Sequence, residues 1–190
     1  MALPPLILAS ASPRRSELLR QFGVEFRVVT SDVQEIHHDQ MTARELAQVN
    51  AYRKARVVGK QYPDELVLGA DTLVTLDNEF FGKPASLEEA YGMIARLQGR
   101  THRVITAVCL LHLRARRQRT FAETTEVTFL PLDAVQIRRY LAQVNPLDKA
   151  GAYAIQEKGD WIISELSGSY SNVVGLPMER LRAELEAWNR

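Results

Sequence analysis

A chain of 190 residues with 46% hydrophobic and 25% charged residues has the size and composition of a globular protein with a sizeable core. Its 24 Lys and Arg against 23 Asp and Glu, a net charge of +1, argue against a general electrostatic grip on nucleic acid. The single Cys109 allows no intrachain disulfide and fits a reducing cytoplasm; the pattern predicts no secretory leader, and no run reaches the ~18 apolar residues needed to span a bilayer.

Leu6-Ile7-Leu8-Ala9 reads as a buried strand that runs into Ser10-Ala11-Ser12-Pro13-Arg14-Arg15. Ser12 suits a helix N-cap and Pro13 the first helical position, with Leu18, Leu19 and Phe22 as the apolar side and Gly23 as the stop. Phe26 to Val29 reads as a second strand. Thr42-Ala43-Arg44-Glu45 has capping-box spacing and predicts a helix to Gly59. Leu66 to Ala70 reads as a short strand ending at Asp71-Thr72, with Leu73 to Leu76 extended and Asp77-Asn78-Glu79 a turn. Ser86 to Glu89 is a second capping box, opening a helix with Ala90, Ile94 and Leu97 on one face. Thr101 to Leu130 is β-rich on both sides of the basic segment Arg114 to Arg119, which reads as a solvated hairpin tip. Asp133 with Gln136 starts a helix that ends before Asn145-Pro146; Trp161 to Ile163 is strand-like; Pro177 opens a final helix with the stripe Leu181, Leu185 and Trp188. The pattern predicts an α/β fold with a mixed sheet.

The chemistry-bearing residues are carboxylates, arginines and lysines. Free N–H groups at a helix N-terminus, Ser10, Ser12, Arg14 and Arg15 form a phosphate-binding pattern, with an ordinary capped helix as its bland alternative. Asp71, beside Thr72 at a strand end, occupies a usual position for functional groups, and a turn aspartate is the competing reading. Glu35 lies in a polar stretch, Lys83 on the constrained Gly82-Lys83-Pro84 turn, and Lys54 inside a helix, where a lysine is ordinarily at the surface. The four histidines, with His37 and His38 adjacent and His102 and His112 apart, have no zinc spacing, and the common nucleotide-binding glycine motifs are missing. The inventory suits a polyphosphate held with a hard divalent cation.

Taken in order, these blocks resemble the Maf family of nucleoside triphosphate pyrophosphatases. The likeness runs from Leu8-Ala9-Ser10-Ala11-Ser12-Pro13-Arg14-Arg15 through Gly69-Ala70-Asp71-Thr72, Gly82-Lys83-Pro84, Thr101 to Val108, Asp148-Lys149-Ala150-Gly151-Ala152-Tyr153 and Gly168-Ser169-Tyr170 to Gly175-Leu176-Pro177. The resemblance implies one Maf-like domain over residues 1–190 with a two-lobed, ITPase-like α/β fold and a cleft between lobes. It also implies hydrolysis of a nucleoside triphosphate to the monophosphate and pyrophosphate with Mg²⁺ or Mn²⁺, in the cytoplasm and without a membrane, and it suggests a homodimer.

By position, Asp71 matches the family's proton acceptor and Glu35 its acidic residue, the two being the expected metal ligands. Arg15, Lys54 and Lys83 match phosphate-binding positions, Lys83 being counted among the catalytic groups. Ser10 joins the substrate-binding set, and Arg14, Thr72 and Gln156 match positions tied to substrate choice. The pattern resembles the dTTP/UTP branch rather than the 7-methyl-GTP branch. Gln34, Ala154 and Glu157 depart from it: the first stands where relatives often carry an acid, the other two where glycine is common. A non-enzymatic regulator of cell division, or a nucleic-acid-binding module on the same fold, is the alternative. A phosphomonoesterase would release orthophosphate instead.

Overall fold

The computed structural model describes residues 5–36, 38, 40–77 and 79–188. His37 and Asn78, named above, lie outside these residues. The described residues form seven strands and six α-helices: β1 (Leu6–Ala9), α1 (Pro13–Gln21), β2 (Phe26–Val28), α2 (Ala43–Gln61), β3 (Leu66–Leu76), β4 (Glu79–Phe81), α3 (Leu87–Leu97), β5 (Thr101–His112), β6 (Arg117–Phe129), α4 (Ala134–Leu141), β7 (Ile163–Ser167), α5 (Tyr170–Val174) and α6 (Met178–Trp188). The sheet is mixed, in the order β2-β1-β3-β5-β6-β7 with β4 paired to β3. β1 pairs in parallel with β2 and β3, whereas β3–β4 and β6–β7 are antiparallel.

The chain divides into two compact units. Residues 1–72, 106–123 and 175–190 form the first, and residues 73–105 and 124–174 the second. The first buries Ile7, Leu8 and Ala9 of β1, Leu66 to Leu68 of β3, and Leu46, Ala47, Ala51, Ala55 and Val58 of α2. The second has its own core, in which Val74, Ile94, Leu97, Val127, Phe129, Ile137, Tyr140 and Tyr153 cluster.

Local signals explain most element ends. Thr42 and Asp133 close full capping boxes with Glu45 and Gln136. Ser86 completes only half of one: its hydroxyl accepts from the Glu89 N–H, but the Glu89 carboxylate caps the N–H of Ala85. Ser12 stands at the N-cap without a side-chain cap bond. The basic segment forms the turn and first residues of β6, and three of its arginines are engaged: Arg114 pairs with Asp64, Arg117 donates to the carbonyls of Ala187 and Trp188, and Arg119 pairs with Glu184.

Two expectations need correction. Leu66 to Leu76 is one continuous strand, so Asp71 lies within β3 rather than past its end. Partners for its carboxylate, described below, make a charged residue tolerable there. Trp161 belongs to a 3₁₀ turn and β7 starts at Ile163. β4 and α5, both short, carried no signal strong enough to read.

Candidate active site

The first unit brings together Ser10, Arg15, Glu35, Lys54, Asp71 and Thr72. The arrangement begins with a close helix–strand approach. A Cβ on Gly69 would lie 2.3 Å from the Ala51 carbonyl oxygen and 2.7 Å from the Ala55 nitrogen, both backbone atoms of α2. Only glycine permits this contact. It lets α2 lie directly on β3 two residues before Asp71.

Lys54 emerges from α2 at that point. Its Nζ donates to Asp71 Oδ1 at 2.7 Å, to Glu35 Oε1 at 2.6 Å and, more distantly, to the Ala70 carbonyl at 3.5 Å. Asp71 is only 2% exposed. Burial pushes its carboxyl above the usual carboxylate range, opposed by Lys54 and Arg15 and reinforced by Glu35. A buried base whose proton affinity is raised in this way is well placed to accept a proton from water.

Asn50, which the sequence reading missed, completes the arrangement. Its Nδ2 donates to Asp71 Oδ2 at 3.3 Å and to the Ile36 carbonyl at 3.3 Å, while its Oδ1 accepts from the Ile36 N–H at 3.0 Å. Arg53 adds a bond to the Gln34 carbonyl. Three residues of α2 thus hold the loop that carries Glu35 beside Asp71. The signal was present: Asn50 and Lys54, four apart, interrupt the buried stripe Leu46, Ala47, Ala51, Ala55 and Val58.

Arg15 is the second organiser. Its Nη1 donates to Ser10 Oγ at 3.1 Å and the Ala70 carbonyl at 3.0 Å, its Nη2 to Thr72 Oγ1 at 3.0 Å, and its Nε to the Gly175 carbonyl at 3.0 Å. These four bonds use most of the five N–H groups of a guanidinium. The side chain expected to act as a phosphate fork is therefore largely taken up by the protein itself. Burial lowers its pKa, with Asp71 and Glu35 opposing and Arg14 adding. Thr72 Oγ1 accepts from Arg15 and shares a further hydrogen bond with the buried Thr106 hydroxyl at 3.0 Å. Arg14, on the first turn of α1, is partly buried.

Lys83 and Gln156 belong to the second unit. Lys83 is exposed on the loop after β4, and Gln156 is exposed on the turn at residues 155–158. Gly151, at φ 71°, donates its N–H to the Gly82 carbonyl at 3.0 Å and so fastens the loop that carries Lys83. The Gly168–Asn172 block is a backbone tie in the same unit. Thr125 Oγ1 accepts from the Ser169 N–H and from Asn172 Nδ2, and donates to the Ser169 carbonyl. Gly168, at φ 125°, leaves no room for a Cβ, which would stand 2.9 Å from Thr125 Oγ1. Cys109 is buried and burial pushes its thiol up to about 11, so it is not a poised nucleophile.

An oxygen-only pair of carboxylates meeting at one ammonium is a donor set that fits a hard divalent cation, which commonly takes one or two carboxylates and completes its shell with substrate phosphates and water. Among the described residues no group of three or more His, Cys, Asp and Glu is gathered for a metal, so any ion would rely on such outside ligands.

A buried aspartate held by lysine and asparagine, next to an arginine-ordered serine and threonine, on an α/β fold with a mixed sheet, defines a candidate hydrolytic site for phosphate esters or anhydrides. The Maf-like protein family model matches residues 5–188, and the chain belongs to that family. Proteins named dTTP/UTP pyrophosphatase are similar over nearly full length. The one from Pelotomaculum thermopropionicum is 46% identical, covering 93% of this chain and 92% of its own. That from Symbiobacterium thermophilum is 49% identical, covering 92% and 89%. Among solved structures, the Ham1 protein of Staphylococcus aureus matches with a TM-score of 0.57 at 16% identity, over 96% of this chain and 98% of that one. A HAM1 protein from Coxiella burnetii matches at 0.56 and 17%, over 97% and 100%. At these identities the structural likeness speaks to the fold, as the ITPase-like resemblance led us to expect.

Proposed function

We propose that this protein is a nucleoside triphosphate pyrophosphatase acting on dTTP and UTP. The observation that carries the reading is the convergence of Lys54 on Asp71 and Glu35 in a chain 46–49% identical to proteins named for that activity. Asp71 takes a proton from water as its oxygen attacks the α-phosphorus. The bond from that phosphorus to the α–β bridging oxygen breaks, and pyrophosphate leaves with its electron pair. Lys54 holds the carboxylates of Asp71 and Glu35 in place, and its charge, with those of Arg15 and Lys83, offsets the negative charge of the triphosphate. Arg15 does so mainly by ordering Ser10, Thr72 and the Ala70 carbonyl. Glu35 and Asp71 are the residues that would hold a Mg²⁺ or Mn²⁺ ion, which supplies further neutralisation of phosphate charge when bound.

Gln156 is assigned to reading the pyrimidine edge, with Arg14 and Thr72 shaping the site. Uracil and thymine present an N3–H beside a carbonyl, a pattern that one amide can match with its acceptor and donor. Cytosine reverses it. We further place the protein in the cytoplasm as a single functional domain. The test is kcat/KM across the common triphosphates and 7-methyl-GTP. The reading expects dTTP and UTP to lead, and a preference for 7-methyl-GTP overturns it.

A further inference from the structure

Lys149 is the most deeply buried lysine side chain among the described residues that form ion pairs, 4% exposed, and it lies in the Asp148-Lys149-Ala150-Gly151 block that the proposed reaction does not use. Its ammonium has three oxygen partners: it donates to the Asn145 carbonyl at 2.6 Å and to Asp148 Oδ1 at 2.8 Å, and it forms an ion pair with Glu157 Oε1 at 3.3 Å. The first two are local, within four residues. The third crosses to the turn at residues 155–158 and engages the residue next to Gln156.

That turn is fastened at its other end too. Ala154 donates its N–H to the hydroxyl of Tyr140 at 3.1 Å, and Tyr140 is fully buried in α4. The Glu157 N–H closes the turn on the Ala154 carbonyl at 3.3 Å. Gln156 therefore projects from a short backbone span pinned at residues 154 and 157, each pin set in the second unit's interior. Glu157 stands where the family resemblance led us to expect glycine, which would make no such bond and would leave the turn freer.

We infer that Lys149 and Glu157 are positioning residues for substrate choice, their ion pair holding the turn so that the Gln156 amide is presented in one orientation. The inference rests on the assignment of Gln156 to the pyrimidine edge. It does not require Lys149 to touch substrate. An amide on a restrained backbone discriminates between the uracil and cytosine patterns better than one whose backbone can reorient to accommodate either.

The test compares wild type with Glu157→Gly, Glu157→Gln, Lys149→Met and Gln156→Leu, measuring kcat and KM for dTTP and dCTP together with melting temperature. Glu157→Gly is the principal variant because its side chain is partly exposed, so the fold survives its loss. We expect its dTTP-over-dCTP ratio of kcat/KM to fall by roughly two- to fivefold, the range of a partly exposed ion pair, through a higher KM for dTTP at nearly constant kcat. Glu157→Gln removes the charge at nearly constant side-chain size, so its ratio should fall with that of Glu157→Gly, and a wild-type ratio there would show that the ion pair does not set the turn. Lys149→Met should follow Glu157→Gly if it folds. A wild-type ratio in Glu157→Gly beside a lowered ratio in Gln156→Leu overturns the positioning role alone. An unchanged ratio in Gln156→Leu overturns the reading of Gln156, and the positioning role with it. A fall in melting temperature of Glu157→Gly with an unmoved ratio assigns the pair to stability and likewise overturns the inference.

Discussion

Lys54 and Asp71 meet at 2.7 Å because Gly69 lets helix α2 rest on strand β3. A methyl group at Gly69 would press on two backbone atoms of α2, neither of which can rotate away. Gly69→Ala is expected to lower stability by roughly 1–3 kcal/mol, the range for overpacking a close contact. It should also reduce turnover per folded molecule, because the shift parts α2 from β3 at the site. Melting curves and kcat on the folded fraction check this. Full activity with unchanged melting would mean the contact is not what aligns the pair.

Asp71→Asn should keep the shape of the site and remove its basic oxygen, with a loss of at least ~10²-fold in kcat. The pH dependence has a definite sign. Burial raises the Asp71 carboxyl, so the folded protein binds this proton more readily than the unfolded chain does. The resulting stabilisation is present below the ordinary value of 3.8 and is lost as pH rises through the raised one. Subtracting the stability profile of Asp71→Asn from that of wild type should expose this fall. Near-normal turnover by the variant removes Asp71 from the role of base.

Arg15→Ala should cost both activity and stability. The side chain joins Ser10, Ala70, Thr72 and Gly175, and its removal strands several of those acceptors, worth roughly 2–5 kcal/mol together. Arg15→Lys should rescue little, because one ammonium cannot reproduce a planar fork reaching four acceptors. Thermal unfolding of both variants, with kcat per folded molecule, is the check. An unmoved melting temperature would return Arg15 to the simple role of a surface phosphate ligand.

Much of this was legible in the sequence, for identifiable reasons. Thr42 with Glu45 and Asp133 with Gln136 are local signals, and both helices start where those pairs place them. Asp71 stood out as a carboxylate in a recognisable block, whereas Glu35, in a polar stretch, was marked only by its match to the family's acidic position. Asn50 did not, because its meaning depends on a loop fourteen residues earlier in the chain folding back onto α2. For Lys54 the helical pattern by itself fits an ordinary surface lysine, and only the family resemblance marked it. The role of Arg15 as an internal strut needed the Gly175 carbonyl, 160 positions away, to be brought beside it. Spacing along a chain reports neighbours on one element and is silent about such partners.

His102 contributes an acid-sensitive part of the fold's stability. It is 1% exposed, its Nε2 pairs with the Tyr153 hydroxyl at 2.8 Å, and Phe129 and Tyr153 meet its ring edge to face. Burial lowers its pKa from 6.5 to about 4. The unfolded chain therefore takes up this proton first. The stability tied to neutral His102 is complete above pH 6.5 and falls by about 3 kcal/mol as pH drops toward the folded value. His102→Leu should be less stable at neutral pH, where Tyr153 loses its partner, yet lack this acid slope. Denaturant unfolding at several pH values distinguishes the two proteins, and an identical slope in both would exclude His102 as its source.

The most direct measurement is the identity of the products from dTTP and UTP under Mg²⁺ or Mn²⁺, with Asp71→Asn as the control. The account predicts one pyrophosphate and one nucleoside monophosphate per triphosphate consumed, and little of either from the variant. Release of orthophosphate in place of pyrophosphate, or no turnover of any triphosphate by the folded wild-type protein, would contradict it.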